Sequence, residues 1–275
     1  MLVNKNNSRI KYVRRLAKRK FRESEGKFIV EGVRFVEEAV QARWPLELVL
    51  HTLGLAGHTR GKTLLEMLAE QGVPLLAVDD GLLAELADTE SPQGVLAVAG
   101  IPRHLKFDPE AWRRDGKDLL VLVDGVRDPG NLGTIIRCAD AAGAHGVFIF
   151  KGTVDPYNAK TLRSTMGSVF HIPVISVADV DKFLFELQTG GWKLVAGDLA
   201  ARRELYNCDL TGQVALVIGG EACGISDVVR RAAGERVRIP MPGRAESLNA
   251  GVAAGIMLYE AVRQRLCAGK EIAKP

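Results

Sequence analysis

Residues 118–144 read DLLVLVDGVRDPGNLGTIIRCADAAGA, and this stretch decides the fold. Its opening, DLLVLVDG (118–125), is apolar at consecutive positions rather than alternating. Such a run predicts a central parallel strand buried on both faces. The turn residues Asp128-Pro129-Gly130-Asn131 follow, and then a helix from about Leu132 to Ala142 closed by Gly143. GVFIF (146–150) is the next strand. The alternation continues with a helix at 158–168, a strand at 172–177, a helix at 180–188 and strands at 192–197 and 214–220. A helix at 225–233, a strand at 236–240 and a long helix at 247–266 complete it. This regular order predicts an α/β domain with a mainly parallel sheet covered on both faces.

Upstream, a helix is expected at 8–21 with Ser8 as its cap. Strands at 27–32, 46–50, 74–78 and 94–101 alternate with helices at 33–42, 61–72 and 82–88, which marks a second α/β domain. Residues 102–117 (PRHLKFDPEAWRRDGK) break the pattern with Pro, charge and an isolated Trp112, as a linker does. The expected division is 1–101, linker 102–117, and 118–267. A chain of 275 residues is comfortable for two domains. Its 47% hydrophobic and 25% charged content suits a soluble globular protein, and no apolar run is long enough to span a bilayer. The basic N-terminus has no apolar segment behind it, so it is not a secretory signal. Cys138, Cys208, Cys223 and Cys267 form no C-x-x-C pair. That argues against a zinc site or a disulfide framework and fits a reducing cytoplasm.

Net charge is only +4, but its distribution is uneven. Residues 1–22 hold nine Lys or Arg and no Asp or Glu. Arg9, Lys11, Arg14, Arg15, Lys18, Arg19, Lys20 and Arg22 form a cluster suited to a phosphate backbone. A solvated helix face is the competing account.

Three motifs sit at strand-to-helix loops of the second domain. None is a nucleotide fingerprint: Gly125, Gly130 and Gly133 have the wrong spacing for G-x-G-x-x-G, and no Walker A sequence is present. In the first motif, Asn131 is placed to cap a helix beginning at Leu132. Arg137, six residues on, lies about 120° from it around an ideal helix. It sits amid Ile135, Ile136, Cys138 and Ala139, where a buried ion pair would also explain it. The second motif is IGGEACGIS (218–226). Gly219 and Gly220 allow a ligand close to the backbone, while Glu221 is also explained as a helix N-terminal charge. The third is IPMPGRAESLNAGVAAGIMLYE (239–260). Ser247 is a good N-cap, and the small residues 250–255 permit tight packing at a loss of helix propensity.

The order and spacing of these motifs over residues 124–260 resemble the SpoU-type RNA 2′-O-ribose methyltransferases of the SPOUT superfamily. One departure is Ala222, followed by Cys223, where the family shows a glycine after the Glu. The resemblance implies a C-terminal SPOUT α/β domain with a trefoil knot, S-adenosylmethionine as cofactor, no metal, and a homodimer with the catalytic centre near its interface. Gly197, Gly219, Gly220, Ile239, Met241 and Leu248 match the cofactor loops. Asn131, Arg137, Glu221, Ser247 and Asn249 match the catalytic positions. The first domain looks like a ribosomal-protein-like RNA-binding domain. The implied reaction is in-line displacement of the sulfonium methyl by a ribose 2′-hydroxyl of structured RNA, ribosomal RNA first and transfer RNA second. A non-catalytic RNA-binding protein on the same fold is the alternative from another class. Retention of all five catalytic positions argues against it. A base-methylating relative is a third option, which Arg137 and the Ser-Leu-Asn sequence disfavour.

Overall fold

The computed structural model describes residues 2–102, 108, 112 and 116–271, with side chains described to residue 268. Most of the expected linker 102–117 therefore lies outside the described residues. The protein divides into two compact units, residues 1–104 with 157–170, and residues 105–156 with 171–275.

The first unit opens with α1 (Ser8–Leu16) and α2 (Arg19–Glu25). β1 (Lys27–Glu31), α3 (Val33–Gln41), β2 (Leu46–Thr52), α4 (Thr59–Glu70), β3 (Leu75–Val78), α5 (Asp80–Leu86) and β4 (Val95–Gly100) follow. Its sheet has the order β1-β4-β2-β3, with β4 antiparallel to both neighbours and β2 parallel to β3. The single helix expected at 8–21 is two. Lys18 is extended, and the buried Arg22 donates to the carbonyls of Leu16 and Ala17 at 2.8 and 2.7 Å. These bonds satisfy carbonyls that the end of α1 leaves without helical partners. The cap of α1 is Asn7, whose side chain accepts from the Arg9 N–H at 2.8 Å, and not Ser8.

The second unit contains β5 (Leu119–Asp124), α6 (Pro129–Ala141) and β6 (Gly146–Ile149). The next helix, α7 (Ala159–Thr165), groups with the first unit. Then come β7 (Val174–Ser176), α8 (Val180–Thr189), β8 (Lys193–Gly197), β9 (Arg203–Glu204), β10 (Val214–Gly219), α9 (Asp227–Ala232), β11 (Glu235–Arg238) and α10 (Ala250–Glu271). The seven strands lie in the order β7-β6-β5-β10-β8-β11-β9, and every neighbouring pair runs parallel. All six residues of β5 are buried, as its unbroken apolar run predicts. Phe148, Phe150, Phe183, Leu187, Trp192 and Leu194 are among the side chains of the core on one side of the sheet. Trp112 packs edge-on against Phe148, with ring centroids 5.3 Å apart. Among the described residues no helix is long and apolar enough to cross a membrane.

This strand order positions the site. β10 lies between β5 and β8, with Gly219 in register with Asp124. The loops leaving the carboxyl ends of these strands are therefore neighbours, and in open α/β sheets that end is where ligands bind.

Candidate active site

The loop after β5 is shaped by Asp128, not Asn131. Asp128 caps α6 by accepting from the Asn131 N–H at 2.8 Å, and Pro129 takes the first turn, where its missing N–H is harmless. The Asn131 side chain is thereby free for other partners. Its Nδ2 donates to Glu221 Oε1 at 2.5 Å, and its Oδ1 accepts from Asn249 Nδ2 at 2.7 Å. Asn249 Oδ1 in turn accepts from the N–H groups of Gly251 and Val252 at 3.0 and 3.2 Å. Asn249, rather than Ser247, is thus the cap of α10, which begins at Ala250. A chain of side-chain bonds, Asn249 to Asn131 to Glu221, ties the ends of three loops together.

Backbone bonds also hold the turn at 220–224. Gly220 N–H donates to the carbonyls of Asp124 and Gly224, and Gly224 N–H returns to Gly220. There is no space for a side chain at Gly219 or Gly220. A Cβ on Gly220 would stand 2.2 Å from the Gly125 carbonyl oxygen, and one on Gly219 would stand 2.5 Å from the Gly224 backbone. Two backbones passing this closely require glycine for room rather than for φ. On the far side of the turn, the buried Asp124 accepts from the Ser226 N–H at 2.6 Å, and Ser226 caps α9.

These loops enclose a cavity of about 370 Å³. Gly197, Gly219, Gly220, Ile239, Met241 and Leu248 all line it. Glu221 and Ser247 are also on its wall, and Asn131 and Asn249 join it through the bonded chain. Much of the lining is apolar, including Leu199, Ile218, Met241 and Met257.

Arg137 is not part of the lining. It is exposed on α6 and has no hydrogen bond or ion pair among the described residues, so a buried ion pair does not explain it. Thr134 and Cys138, on the same helix, face Gly251 and Gly255 of α10. A Cβ on Gly251 would lie 2.9 Å from Thr134 Cγ2, so the small residues of α10 serve a close approach to α6.

The basic cluster lies on the first unit. Arg9, Lys11, Lys18 and Lys20 are exposed and without a side-chain partner among the described residues. Arg14 pairs with Glu85 at 2.9 Å, Arg19 with Glu23 at 2.7 Å, and Arg15 lies over the Phe21 ring. Arg22 is the exception to the expected surface. It is only 7% exposed and donates to the carbonyls that end α1. The motifs do not single out Asp198, Leu199 and Arg230, which line the cavity, or Asp124, which holds the start of α9. The available signal was an Asp at or just after the carboxyl end of a buried strand.

Residues 118–259 match the SpoU rRNA Methylase family, and residues 7–97 match an MRM3-like substrate binding domain. The chain is 32% identical over 253 residues to the 23S rRNA (guanosine(2553)-2′-O)-methyltransferase RlmP of Bacillus subtilis (strain 168), covering 92% of this chain and 95% of that protein. It is 36% identical over 257 residues to a 23S rRNA (uridine(2479)-2′-O)-methyltransferase of Streptomyces viridochromogenes, covering 91% and 88%. A crystal structure of an AdoMet-bound rRNA methyltransferase from Sinorhizobium meliloti superposes with a TM-score of 0.84 at 32% identity, covering 95% of this chain and 97% of that one. Sequence and structure agree over nearly the whole length, and the chain belongs to the SpoU rRNA methylase family.

Proposed function

We propose that this protein transfers a methyl group from S-adenosylmethionine to a ribose 2′-hydroxyl of ribosomal RNA. The observation that carries this reading is the bonded chain Asn249–Asn131–Glu221 at the rim of a cavity walled by glycine backbone. The cavity fits the cofactor. Its volume is in the small-ligand range, and Ile218, Met241, Leu248 and Met257 offer apolar surface beside the polar Asp198, Glu221 and Ser247, a mix that suits a purine nucleoside with a charged sulfonium tail. When bound, the sulfonium supplies an electrophilic methyl with an excellent leaving group. The chain's own residues then have to align the nucleophile and assist loss of its proton. Glu221, Asn131, Asn249 and Ser247 orient the ribose and the cofactor. The guanidinium of Arg137 stabilises the developing alkoxide.

The Bacillus and Streptomyces relatives act on a guanosine and a uridine, so the ribose rather than the base is their common reacting group. Both act on 23S rRNA, which supports ribosomal RNA as the substrate. The first domain, within residues 1–101, holds the RNA, and residues 118–267 carry the chemistry. The match of residues 118–259 to the SpoU family supports the knotted arrangement that the resemblance implies. Ribosomal RNA as the substrate supports a cytoplasmic location, where the cysteines would stay reduced.

The protein acts as a homodimer in this reading. Val252, Tyr259 and Leu266 are spaced by seven residues on α10 and are 51%, 52% and 63% exposed. They form an apolar stripe that a second copy would cover. Arg137 is exposed on α6, whose Thr134 and Cys138 pack on α10. Calorimetry with S-adenosylmethionine in excess EDTA tests the cofactor assignment. Binding at the cavity should persist in the chelator. Loss of binding with EDTA, or none without it, would remove the assignment.

A further inference from the structure

Asp124 and Asp198 are carboxylates to which methyl transfer as described assigns no role. They lie at the carboxyl ends of β5 and β8, the strands flanking β10. Asp124 is fastened to α9 through the Ser226 N–H. The side chain of Asp198 is nearly buried and is fastened to the same helix from its other end. Asp198 Oδ2 accepts from Arg230 of α9 at 3.0 Å and from Arg236 of β11 at 3.2 Å. Its Oδ1 accepts from the Ala200 N–H at 3.0 Å, and its carbonyl accepts from Ala201. Its own N–H donates to Val237. Every polar atom of the residue is thus engaged in holding the turn at 198–201.

That turn is a wall of the cavity. Asp198, Leu199, Ala200 and Arg230 all line it, and Leu199 is 60% exposed. An apolar side chain held out at a cavity edge gains by being covered when a ligand enters. Left to itself, a short surface turn would sample many conformations, and ordering it would oppose binding. A carboxylate bonded to two guanidinium groups and a backbone N–H removes that freedom beforehand, because charge-assisted bonds are the strong ones.

We infer that Asp198, clamped by Arg230 and Arg236, is a positioning residue for the methyl donor: it pre-orders the 198–201 turn so that Leu199 closes one wall of the cofactor cavity. The inference rests on the methyl-transfer reading and adds a determinant of cofactor affinity that lies apart from the Asn249–Asn131–Glu221 chain.

The test is calorimetric affinity for S-adenosylmethionine, with kcat at saturating cofactor, RNA affinity and thermal stability measured alongside. Asp198→Asn keeps the shape and weakens the clamp, so the cofactor Kd should rise roughly tenfold or more. RNA affinity and kcat at saturating cofactor should hold, the pattern for lost uniform binding. Arg230→Gln should give a similar loss and Arg230→Lys a smaller one. The double variant Asp198→Asn/Arg230→Gln should bind about as well as either single variant, since both break one unit. A cofactor Kd unchanged in Asp198→Asn would overturn the inference, as would a fall in kcat with Kd unchanged, or losses that multiply in the double variant. Should Asp198→Asn fail to fold, Arg236→Gln on the exposed side of the clamp takes its place, and an unchanged cofactor Kd there would also overturn it. A wild-type protein that does not bind S-adenosylmethionine would instead bring down the methyl-transfer reading itself.

Discussion

Arg137 is exposed, without an ion partner among the described residues, and roughly 9 Å along the helix axis from Asn131. A surface arginine that served only solubility would be replaceable. One that stabilises a forming alkoxide would not. Arg137→Ala is expected to retain fold and cofactor affinity and to lose at least ~10²-fold in methyl transfer, the lower scale of assisted proton transfer. Near-normal turnover in a single-turnover assay would remove Arg137 from the mechanism. At this scale the sequence was informative about which residues meet and less so about how. Asn131 and Glu221 were legible as candidates from their motifs, but their mutual bond spans 90 positions and no local pattern encodes it. In the sequence Asn131 and Ser247 look like helix caps, because cap preference is similar for Asn, Asp and Ser. The structure gives those tasks to Asp128 and Asn249, and the choice follows from where each helix begins. Asp198 was not legible, since its partners come from α9 and β11, far along the chain.

Among the elements, the strands and helices of the second unit were the most legible, because a buried parallel strand announces itself by an unbroken apolar run. β9, with two residues, is too short for any periodicity to report. The split between α1 and α2 was hidden for another reason. No Gly or Pro marks it, and the break is stabilised by Arg22 reaching back to Leu16 and Ala17. The burial of α1 also decides how the basic cluster should be probed. Ile10, Val13 and Leu16 are buried in the first unit, so removing residues 1–22 would damage its core as well as its charge. Replacing Arg9, Lys11, Lys18 and Lys20 by Gln leaves that core intact. RNA affinity should then fall, and the slope of log K against log salt should flatten by roughly 0.7 to 0.9 for each phosphate no longer neutralised. Cofactor binding should not change. A salt slope equal to that of the wild type would make the cluster a solvated face.

On the scale of the whole molecule, assembly follows from α10. Its small residues are accounted for by α6 of the same chain, so the argument for pairing rests on the exposed stripe Val252, Tyr259 and Leu266. A two-fold dimer of about 60 kDa, twice the 29.8 kDa chain, is expected in sedimentation equilibrium. Tyr259→Asp should shift it toward monomer and reduce turnover with it. A wild-type monomer that is fully active at micromolar concentration would contradict both the dimer and the role of pairing in the site. The two-unit division was legible only in outline. Local periodicity identifies a helix near 158–168 but not the unit that α7 joins. The sharpest test of ribose methylation is nucleoside mass spectrometry of ribosomal RNA lacking its native methylations, after incubation with the protein and S-adenosylmethionine carrying an isotopically labelled methyl group. The labelled methyl should appear on the ribose of a single nucleoside, at a linkage that resists alkaline hydrolysis. Label on a base, or no transfer by a protein that binds the cofactor, would contradict ribose 2′-O-methylation of ribosomal RNA.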